Sequence, residues 1–180
     1  MKKPSQCASC PFAAHSTGFV PDQCPAKPRF AAMLKMPGKE EIVNGVPMSG
    51  RAGRYWTHEF LEPLGVAHKD LYLGNVIRCY PNAGEFPVGK ERIQAVKVCR
   101  QWDRIAEYKP NVIGVTFNPT TLLKNPQQTK FLRRALTRAK ELSDAGYRPL
   151  LLMGEEAVEV FAPWLKGTMK KWQGNFWEAV

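Results

Sequence analysis

The residues with the clearest capacity for chemistry are cysteines. Cys7 and Cys10 form a Cys-x-x-Cys pair near the N-terminus, and Cys79 and Cys99 follow in a predicted strand and a predicted helix. Because cysteines in a reducing compartment rarely form disulfides, this set indicates metal or redox chemistry. Four thiolates suit a [4Fe–4S] cluster and also a tetrahedral zinc ion, unless Cys79 and Cys99 are ordinary buried thiols. Cys24 is expected to be a buried or loop thiol that binds no metal.

The chain between these cysteines alternates strand-like and helix-like segments. Residues 1–30 contain five prolines and are expected to be irregular, and residues 39–53 are expected to form a polar, glycine-rich loop. Predicted strands cover residues 30–36, 70–79, 111–117 and 148–153, and predicted helices cover residues 54–64, 90–108, 129–145 and 155–164. This alternation predicts an α/β fold, a three-layer sandwich in which helices cover both faces of a four-stranded parallel sheet.

Length, composition and charge restrict the class of protein. A chain of 180 residues with 44% apolar residues fits a single domain over residues 1–180 and is too apolar to be disordered. No apolar run approaches the roughly 18 residues of a membrane span, so we expect no membrane contact and a cytoplasmic, intracellular protein. The net charge of +10 favours a polyanionic partner, DNA or RNA first, over a merely basic soluble protein.

Ordered motifs around the cysteines resemble the iron–sulfur uracil-DNA glycosylases known as family 4. The family's Cys-x-x-Cys-Pro-Leu segment is matched by residues 7–12, its Gly-Glu-Ala-Pro-Gly loop by residues 34–38, and its Gly-Arg-Pro-Phe-Val-Gly-Arg-Ala-Gly segment by residues 45–53. Its strand ending Asn-Val-x-Lys-Cys is matched by Asn75-Val76-Ile77-Arg78-Cys79, before a proline-rich loop that leads to Cys99. The resemblance implies a uracil-DNA glycosylase-like fold. It also favours a [4Fe–4S] cluster over zinc, with Cys7, Cys10, Cys79 and Cys99 as ligands.

The last two motif blocks occur in the opposite order from that of the family. A stretch like the family's final His-Pro-Ser motif comes first, at residues 116–126, and a stretch like its preceding block comes second, at residues 148–157 and 166–174. We therefore expect the four strands, numbered along the chain, to lie in the spatial order 2-1-4-3, whereas the family has 2-1-3-4. A sheet ordered 2-1-3-4 would contradict this interpretation.

The resemblance assigns roles to three candidate catalytic residues. Asn75 would read uracil, since an amide can donate to O4 and accept from N3–H, unless it only caps a strand end. Asn118 replaces the family histidine that stabilises the leaving base; mismatch-specific uracil glycosylases have Asn-Pro-Ser there. Lys35 replaces the family glutamate, and a protonated lysine cannot activate water as a carboxylate might. It could instead neutralise a phosphate or an anionic leaving base.

Other residues are expected to bind the substrate. Met48 replaces the phenylalanine on which the family stacks uracil and is a poorer platform. A basic tail with interleaved tryptophans corresponds to the family's Arg-Gly loop and suits phosphates. The expected substrate-binding residues are Met36, Pro37, Gly38, Met48, Gly50, Arg51, Lys166, Lys170 and Lys171. Glu40 and Glu41 are expected to be a solvated loop pair, and the basic helix over residues 129–145 is either part of this surface or simply solvated.

The sequence thus predicts a DNA glycosylase that removes uracil, or a related modified pyrimidine, by hydrolysis of the N-glycosidic bond. The replacements Lys35, Met48 and Asn118 support an alternative, a superfamily member that has lost chemistry and binds DNA or a DNA-processing partner. Altered chemistry on a different base is a third, weaker reading. The expected partner is uracil-containing DNA, single- or double-stranded, bound by a monomer associated with the nucleoid. The cluster is expected to be structural.

Overall fold

The computed structural model describes residues 2–82, 85–119, 125, 128–165 and 175–178. The strands of this part of the chain are β1 Ser16–Thr17, β2 Ala31–Leu34, β3 Tyr72–Asn75, β4 Tyr80–Pro81, β5 Val112–Thr116, β6 Pro149–Met153 and β7 Phe176–Glu178. Its α-helices are α1 Lys39–Asn44, α2 Arg51–Trp56, α3 Gly89–Cys99, α4 Ile105–Tyr108, α5 Thr129–Asp144 and α6 Glu155–Phe161. Short 3₁₀ turns cover Ser5–Ser9, Pro11–His15, Glu62–Leu64, His68–Asp70 and Arg100–Trp102.

The central sheet has the strand order β3-β2-β6-β5-β7. Its first four strands are parallel, and β7 pairs with β5 in the antiparallel direction. Numbered along the chain, the four parallel strands therefore lie in the order 2-1-4-3, which confirms the predicted exchange. The observed sheet has five strands where four were predicted, because the end of the chain adds β7 at one edge.

The strand β7 packs closely against a glycine in the neighbouring strand. A Cβ on Gly114 of β5 would lie 2.5 Å from the ring of Phe176 in β7, so only glycine lets this ring lie against the strand. The pairing is three residues long and joins segments far apart in the chain. A pattern search along the sequence has little to detect in so short a strand.

Alternate residues of the inner strands face two different helical layers, as expected for a sheet covered on both faces. In β2, Ala31 and Met33 pack in one apolar cluster, and Ala32 and Leu34 pack in the other. The first layer contains α3, α6 and the N-terminal 3₁₀ turns, and the second contains α2 and α5. Each fully buried leucine in these layers contributes about 1.5–3 kcal/mol by leaving water. The predicted three-layer α/β sandwich is confirmed.

Two predicted helices have different limits in the structure. The helix predicted over residues 54–64 begins earlier, as α2, and continues through a π-helical turn, Thr57–Leu61, to Gly65, whose φ is +66°. The helix predicted over residues 90–108 is interrupted after α3, because Asp103 is extended before α4 begins. Among the described helices, none has the length and apolar character needed to cross a bilayer.

The loop predicted over residues 39–53 contains α1, and this prediction was wrong. Gly38 is extended and precedes the helix, and its amide donates to Glu41 Oε2 at 2.9 Å. A carboxylate three residues after the N-cap is the capping-box arrangement, which satisfies a backbone donor that the helix leaves free. The pattern was present in the sequence as a glycine followed three positions later by glutamate.

Candidate functional site

The carboxyl ends of the parallel strands open onto a cleft of about 660 Å³. Parallel α/β sheets bind ligands at this edge, and small-molecule sites commonly measure about 300–1,000 Å³. The strand β2 leads into the loop over residues 35–38, and Asn75 is the last residue of β3. Asn118 follows β5 and Gly154 follows β6. Four strands thus deliver one side chain or loop each to a single cavity.

Nine of the twelve residues predicted to act on or bind the substrate line this cleft. They are Lys35, Met36, Pro37, Gly38, Met48, Gly50, Arg51, Asn75 and Asn118. The other three, Lys166, Lys170 and Lys171, lie outside the described residues. The cleft is also lined by residues that the sequence analysis did not assign to it, chief among them Tyr80, Phe117, Glu155 and Glu156.

Asn75 has the properties of a side chain that reads a ligand. It is only 2% exposed, and within the described part of the chain its Nδ2 has no hydrogen-bond partner. An unpaired buried donor costs about 1–3 kcal/mol, so native proteins seldom retain one without a reason. A planar polar ligand in the cleft would supply the missing acceptor.

Lys35 is paired with a carboxylate that the sequence analysis did not place in the site. Its Nζ lies 2.6 Å from Glu156 Oε1 and 4.7 Å from the centre of the Phe86 ring. A Cβ on Gly154 would lie 3.6 Å from Glu156 Oε2 and 3.7 Å from the Cβ of Asn118. The cleft therefore gathers an ammonium group, a carboxylate and an amide. The available signal was the position of Glu156, three residues after the end of β6.

We expect the Lys35–Glu156 pair to add little to stability. The two side chains are 31% and 24% exposed, and ion pairs in contact with water typically contribute about 0–1 kcal/mol. Lys35→Met and Glu156→Gln should each lower the free energy of unfolding by less than about 1 kcal/mol in urea denaturation. A loss several times larger in either variant would show that the pair holds the cleft together.

Glu41 is buried rather than solvated, which corrects the prediction for this residue. Its carboxylate accepts a hydrogen bond from the amide of Gly38 and also hydrogen-bonds to the backbones of Met48 and Gly50. Burial raises the pKa of Glu41, and the three backbone hydrogen bonds oppose that rise. Glu41 thereby joins the two loops that form one wall of the cleft. Glu40 is exposed, as predicted, and pairs with Arg54 at 2.7 Å.

The backbone at Met48 is held in an uncommon conformation. Met48 has φ +56°, in the left-handed region that side chains larger than glycine seldom adopt. His68 Nε2 lies 3.0 Å from the Pro47 carbonyl oxygen, and burial lowers the pKa of His68, which favours the neutral ring. A Cβ on Gly53 would lie 1.6 Å from the Met48 carbonyl oxygen, so α2 can approach this loop only with glycine there. These contacts fix the loop that places Met48 in the cleft.

The four predicted ligand cysteines lie on the α3 side of the sheet. Cys7 is in the first 3₁₀ turn, Cys10 precedes the second, Cys79 follows β3 and Cys99 ends α3. Cys10, Cys79 and Cys99 pack in one buried cluster. As they stand, no three His, Cys, Asp or Glu side chains of the described chain are close enough together to hold a metal ion. Cys24, which was predicted to bind no metal, lines a small pocket of the proline-rich segment and, being partly buried, packs against the same cluster.

The four thiols nevertheless interact electrostatically. Burial raises the pKa of Cys99 to about 12, Arg78 opposes the rise, and Cys79 and Cys10 add to it. Burial also raises the pKa of Cys79, with further increases from Cys10 and Cys7. The thiolate forms of Cys79 and Cys99 are thus disfavoured here without a compensating cation. A metal centre supplies that cation and deprotonates the thiols it binds, so the chemistry of these thiols fits such a group.

A buried ionic network adjoins the cysteines, and the sequence analysis did not predict it. Arg78 is 1% exposed, and its Nη2 lies 2.7 Å from Asp22 Oδ1 and 3.1 Å from Asp103 Oδ1. Its Nη1 donates to the Cys99 carbonyl oxygen at 2.6 Å, and the Tyr72 hydroxyl donates to Asp22. Arg78 therefore connects the segment that carries Cys79 to the end of the helix that carries Cys99.

The buried amide at the end of the second parallel strand and the α/β sheet fit the resemblance predicted from the motifs, although the strand order 2-1-4-3 differs from that of the family. No family model matches the chain. It is similar to the type-4 uracil-DNA glycosylases of Archaeoglobus fulgidus, with 29% identity over 109 residues, and Thermotoga maritima, with 32% over 87 residues. These matches cover 59% and 48% of this chain. They also cover 52% and 45% of those relatives, so the chain spans about half of their length.

A longer match is found to the type-4 uracil-DNA glycosylase of Sulfurisphaera tokodaii. The identity is 29% over 176 residues, with 76% of this chain and 80% of that relative covered. The chain therefore resembles the type-4 uracil-DNA glycosylases, and the resemblance predicted from its motifs is confirmed.

Proposed function

We propose that the protein is a DNA glycosylase that hydrolyses the N-glycosidic bond of uracil, or of a related modified pyrimidine, in DNA. The observation that carries this proposal is the buried Nδ2 of Asn75, which has no hydrogen-bond partner among the described residues and lies in a cleft large enough for a base. A glycosylase takes its target base out of the helix and reads the pairing edge in such a pocket. The names of the similar proteins support the same substrate.

Asn75 can select uracil by its pattern of donors and acceptors. Its Nδ2 would donate to O4 of uracil, and its Oδ1 would accept from N3–H. Cytosine presents an amino group and an unprotonated N3 at these positions, so the same amide would meet donor against donor and acceptor against acceptor. Binding cytosine would therefore leave buried polar groups of both the site and the base without hydrogen-bond partners. The free-energy cost of these unpaired groups makes the site selective for uracil.

The remaining groups of the cleft suit the departure of the base. When the C1′–N1 bond breaks, the electron pair leaves with the base, and the oxygen of a water molecule bonds to C1′. The ammonium of Lys35 and the amide of Asn118 can stabilise the negative charge on the base, as preorganised donors do in other enzymes. Glu156 can accept a hydrogen bond from the attacking water. That water loses one proton to solvent as its oxygen bonds to C1′, and the released base anion takes up one proton from solvent.

We also propose that Cys7, Cys10, Cys79 and Cys99 hold a [4Fe–4S] cluster, which four thiolates suit. Bound there, the cluster would cross-link three segments that are distant in the sequence. The N-terminal turns would be tied to the end of β3 and to the end of α3. We assign it no part in bond cleavage, because the proposed catalytic groups lie at the carboxyl edge of the sheet and not among the thiols.

A second candidate function is DNA binding without excision. The Lys35–Glu156 ion pair supports it, because each group partly neutralises the other and neither is fully available to the substrate. Met48 supports it as well, because a thioether stacks on a base less well than an aromatic ring. The two functions differ in whether an abasic site is produced.

The test uses single- and double-stranded oligonucleotides that carry one uracil, followed by alkaline cleavage of abasic sites. We expect cleavage at the uracil and none in a matched oligonucleotide with thymine. Tight binding without abasic product would establish the second candidate function instead. If the protein showed no binding and gave no abasic product, both candidate functions would be contradicted. Protein purified without oxygen should contain iron and sulfide and absorb broadly in the visible range, whereas zinc in their place would contradict the cluster assignment.

A further inference from the structure

The outward face of α5 is strongly basic and lines a groove of about 990 Å³. The inward face of this helix is buried against the sheet through Leu132, Ala135, Leu136, Ala139 and Leu142. The groove side carries the four cations Lys130, Arg133, Arg134 and Arg138, together with Thr129, Phe131 and Thr137. The helix is therefore anchored by one face and offers the other to a partner.

Ion pairs neutralise only the C-terminal half of this face. Arg138 pairs with Glu141 at 3.2 Å, and Lys140 pairs with Asp144 at 2.6 Å. In the part of the chain that the structure describes, no carboxylate pairs with Lys130, Arg133 or Arg134. Like charges four residues apart, as in Lys130 and Arg134, repel each other and destabilise a helix. An anionic partner bound to both would offset this repulsion.

The basic groove adjoins the cleft through a contact between two lining residues. Phe131 in the groove and Phe117 in the cleft form an edge-to-face pair with ring centres 6.3 Å apart. Phe131 is half-buried, and the Lys130 ammonium lies 5.4 Å from its ring centre. A chain whose base occupied the cleft would therefore meet an aromatic ring and then a row of cations.

We propose that the α5 groove binds the DNA strand next to the base held in the cleft. Lys130, Arg133 and Arg134 contact its phosphates, and Phe131 packs against a neighbouring base. Cations with an interleaved aromatic ring form the surface that a single strand requires, because phosphates need charge and bases need a stacking partner. The proposal rests on the proposed function for the identity of the group in the cleft.

The test compares two double variants with the same change in charge. Lys130→Gln with Arg134→Gln removes two cations of the groove, and Lys69→Gln with Lys140→Gln removes two exposed or ion-paired cations outside it. The affinity for a labelled single-stranded 16-mer is measured by fluorescence anisotropy over a range of salt concentrations.

Each phosphate contact on single-stranded DNA contributes about 0.7 to the slope of log K against log salt. The groove variant should therefore lose about 1.4 in slope and bind about 20-fold more weakly at 0.1 M salt. The control should keep the wild-type slope.

Free uracil, which fits the cleft but carries no phosphate and no neighbouring base, separates this proposal from the proposed function. We expect the groove variant to bind free uracil as the wild type does, and to lose affinity only for the 16-mer. Equal slopes for both variants would overturn the groove proposal and leave the glycosylase proposal standing. Loss of slope in the groove variant, without uracil excision by the wild type, would support the groove and contradict the glycosylase. The single variant Arg134→Lys keeps the positive charge and should therefore keep the wild-type slope if the contact is with phosphate. Thermal denaturation checks that each variant is folded.

Discussion

Asn75→Ala is expected to reduce uracil excision by about 100- to 1,000-fold, the usual effect of removing one preorganised donor to a developing negative charge. The negative charge that forms on the leaving base is shared with O4, the atom to which Nδ2 of Asn75 would donate. The hydrogen bond should thus strengthen as the glycosidic bond breaks. The change should appear in the single-turnover rate constant on a uracil-containing oligonucleotide.

The same substitution should leave stability unchanged or raise it. Nδ2 of Asn75 makes no hydrogen bond to the described residues, so alanine removes a buried donor that has no partner there. Asn75→Asp is the matched variant of nearly equal shape, and its ionised carboxylate cannot donate to O4. We expect it to lose excision as well. Wild-type rates in both variants, or a large loss of stability in the alanine variant, would show that Asn75 is structural.

The unusual strand order could be predicted because each motif block carries its own local signature. A strand rich in β-branched residues and a following asparagine–proline pair identify the block around Asn118 wherever it occurs in the chain. The resemblance of that block to the family's final motif placed it at the same edge of the sheet as Asn75. Parallel strands deliver their carboxyl ends to one edge, so the spatial order followed from the resemblance of each block although the chain order differed.

What could not be predicted depends on contacts between distant residues. Glu156 approaches Lys35 only because β6 lies beside β2, and no local pattern of charges shows that. Asp22 and Arg78 are 56 residues apart, and Asp103 and Arg78 are 25 apart. Single acidic residues in irregular segments are usually exposed, so nothing in the sequence distinguishes these two.

The prediction for α1 failed for a different reason. Prolines and glycines around residues 37–53 indicate a loop, and a six-residue helix is too short to show a clear period. The capping pattern of Gly38 and Glu41 was the only local signal. The missed helix α1 is relevant to the site, because the Glu41 carboxylate in it also hydrogen-bonds to the backbone of the Met48 loop.

Arg78→Met is expected to have the largest effect on stability, a loss of about 3–5 kcal/mol in the free energy of unfolding. Methionine fills similar space but leaves the carboxylates of Asp22 and Asp103, 1% and 9% exposed, without their cation. A domain of this kind is stable by about 5–15 kcal/mol, so the variant would keep only part of its stability. Urea denaturation of the purified protein measures the difference.

Arg29→Met is the matched control, because it also breaks an arginine–aspartate pair. Arg29 and Asp144 are 43% and 41% exposed, so this variant should lose less than about 1 kcal/mol. Arg78 also donates to the carbonyl of Cys99, and we therefore expect Arg78→Met to retain less iron than wild type under identical purification. Arg78→Lys should be intermediate, since lysine restores the charge without the planar fork that contacts both carboxylates. An equal loss in the free energy of unfolding for Arg78→Met and Arg29→Met would contradict this prediction. It would show that the buried network does not hold the segment after β3 to the end of α3.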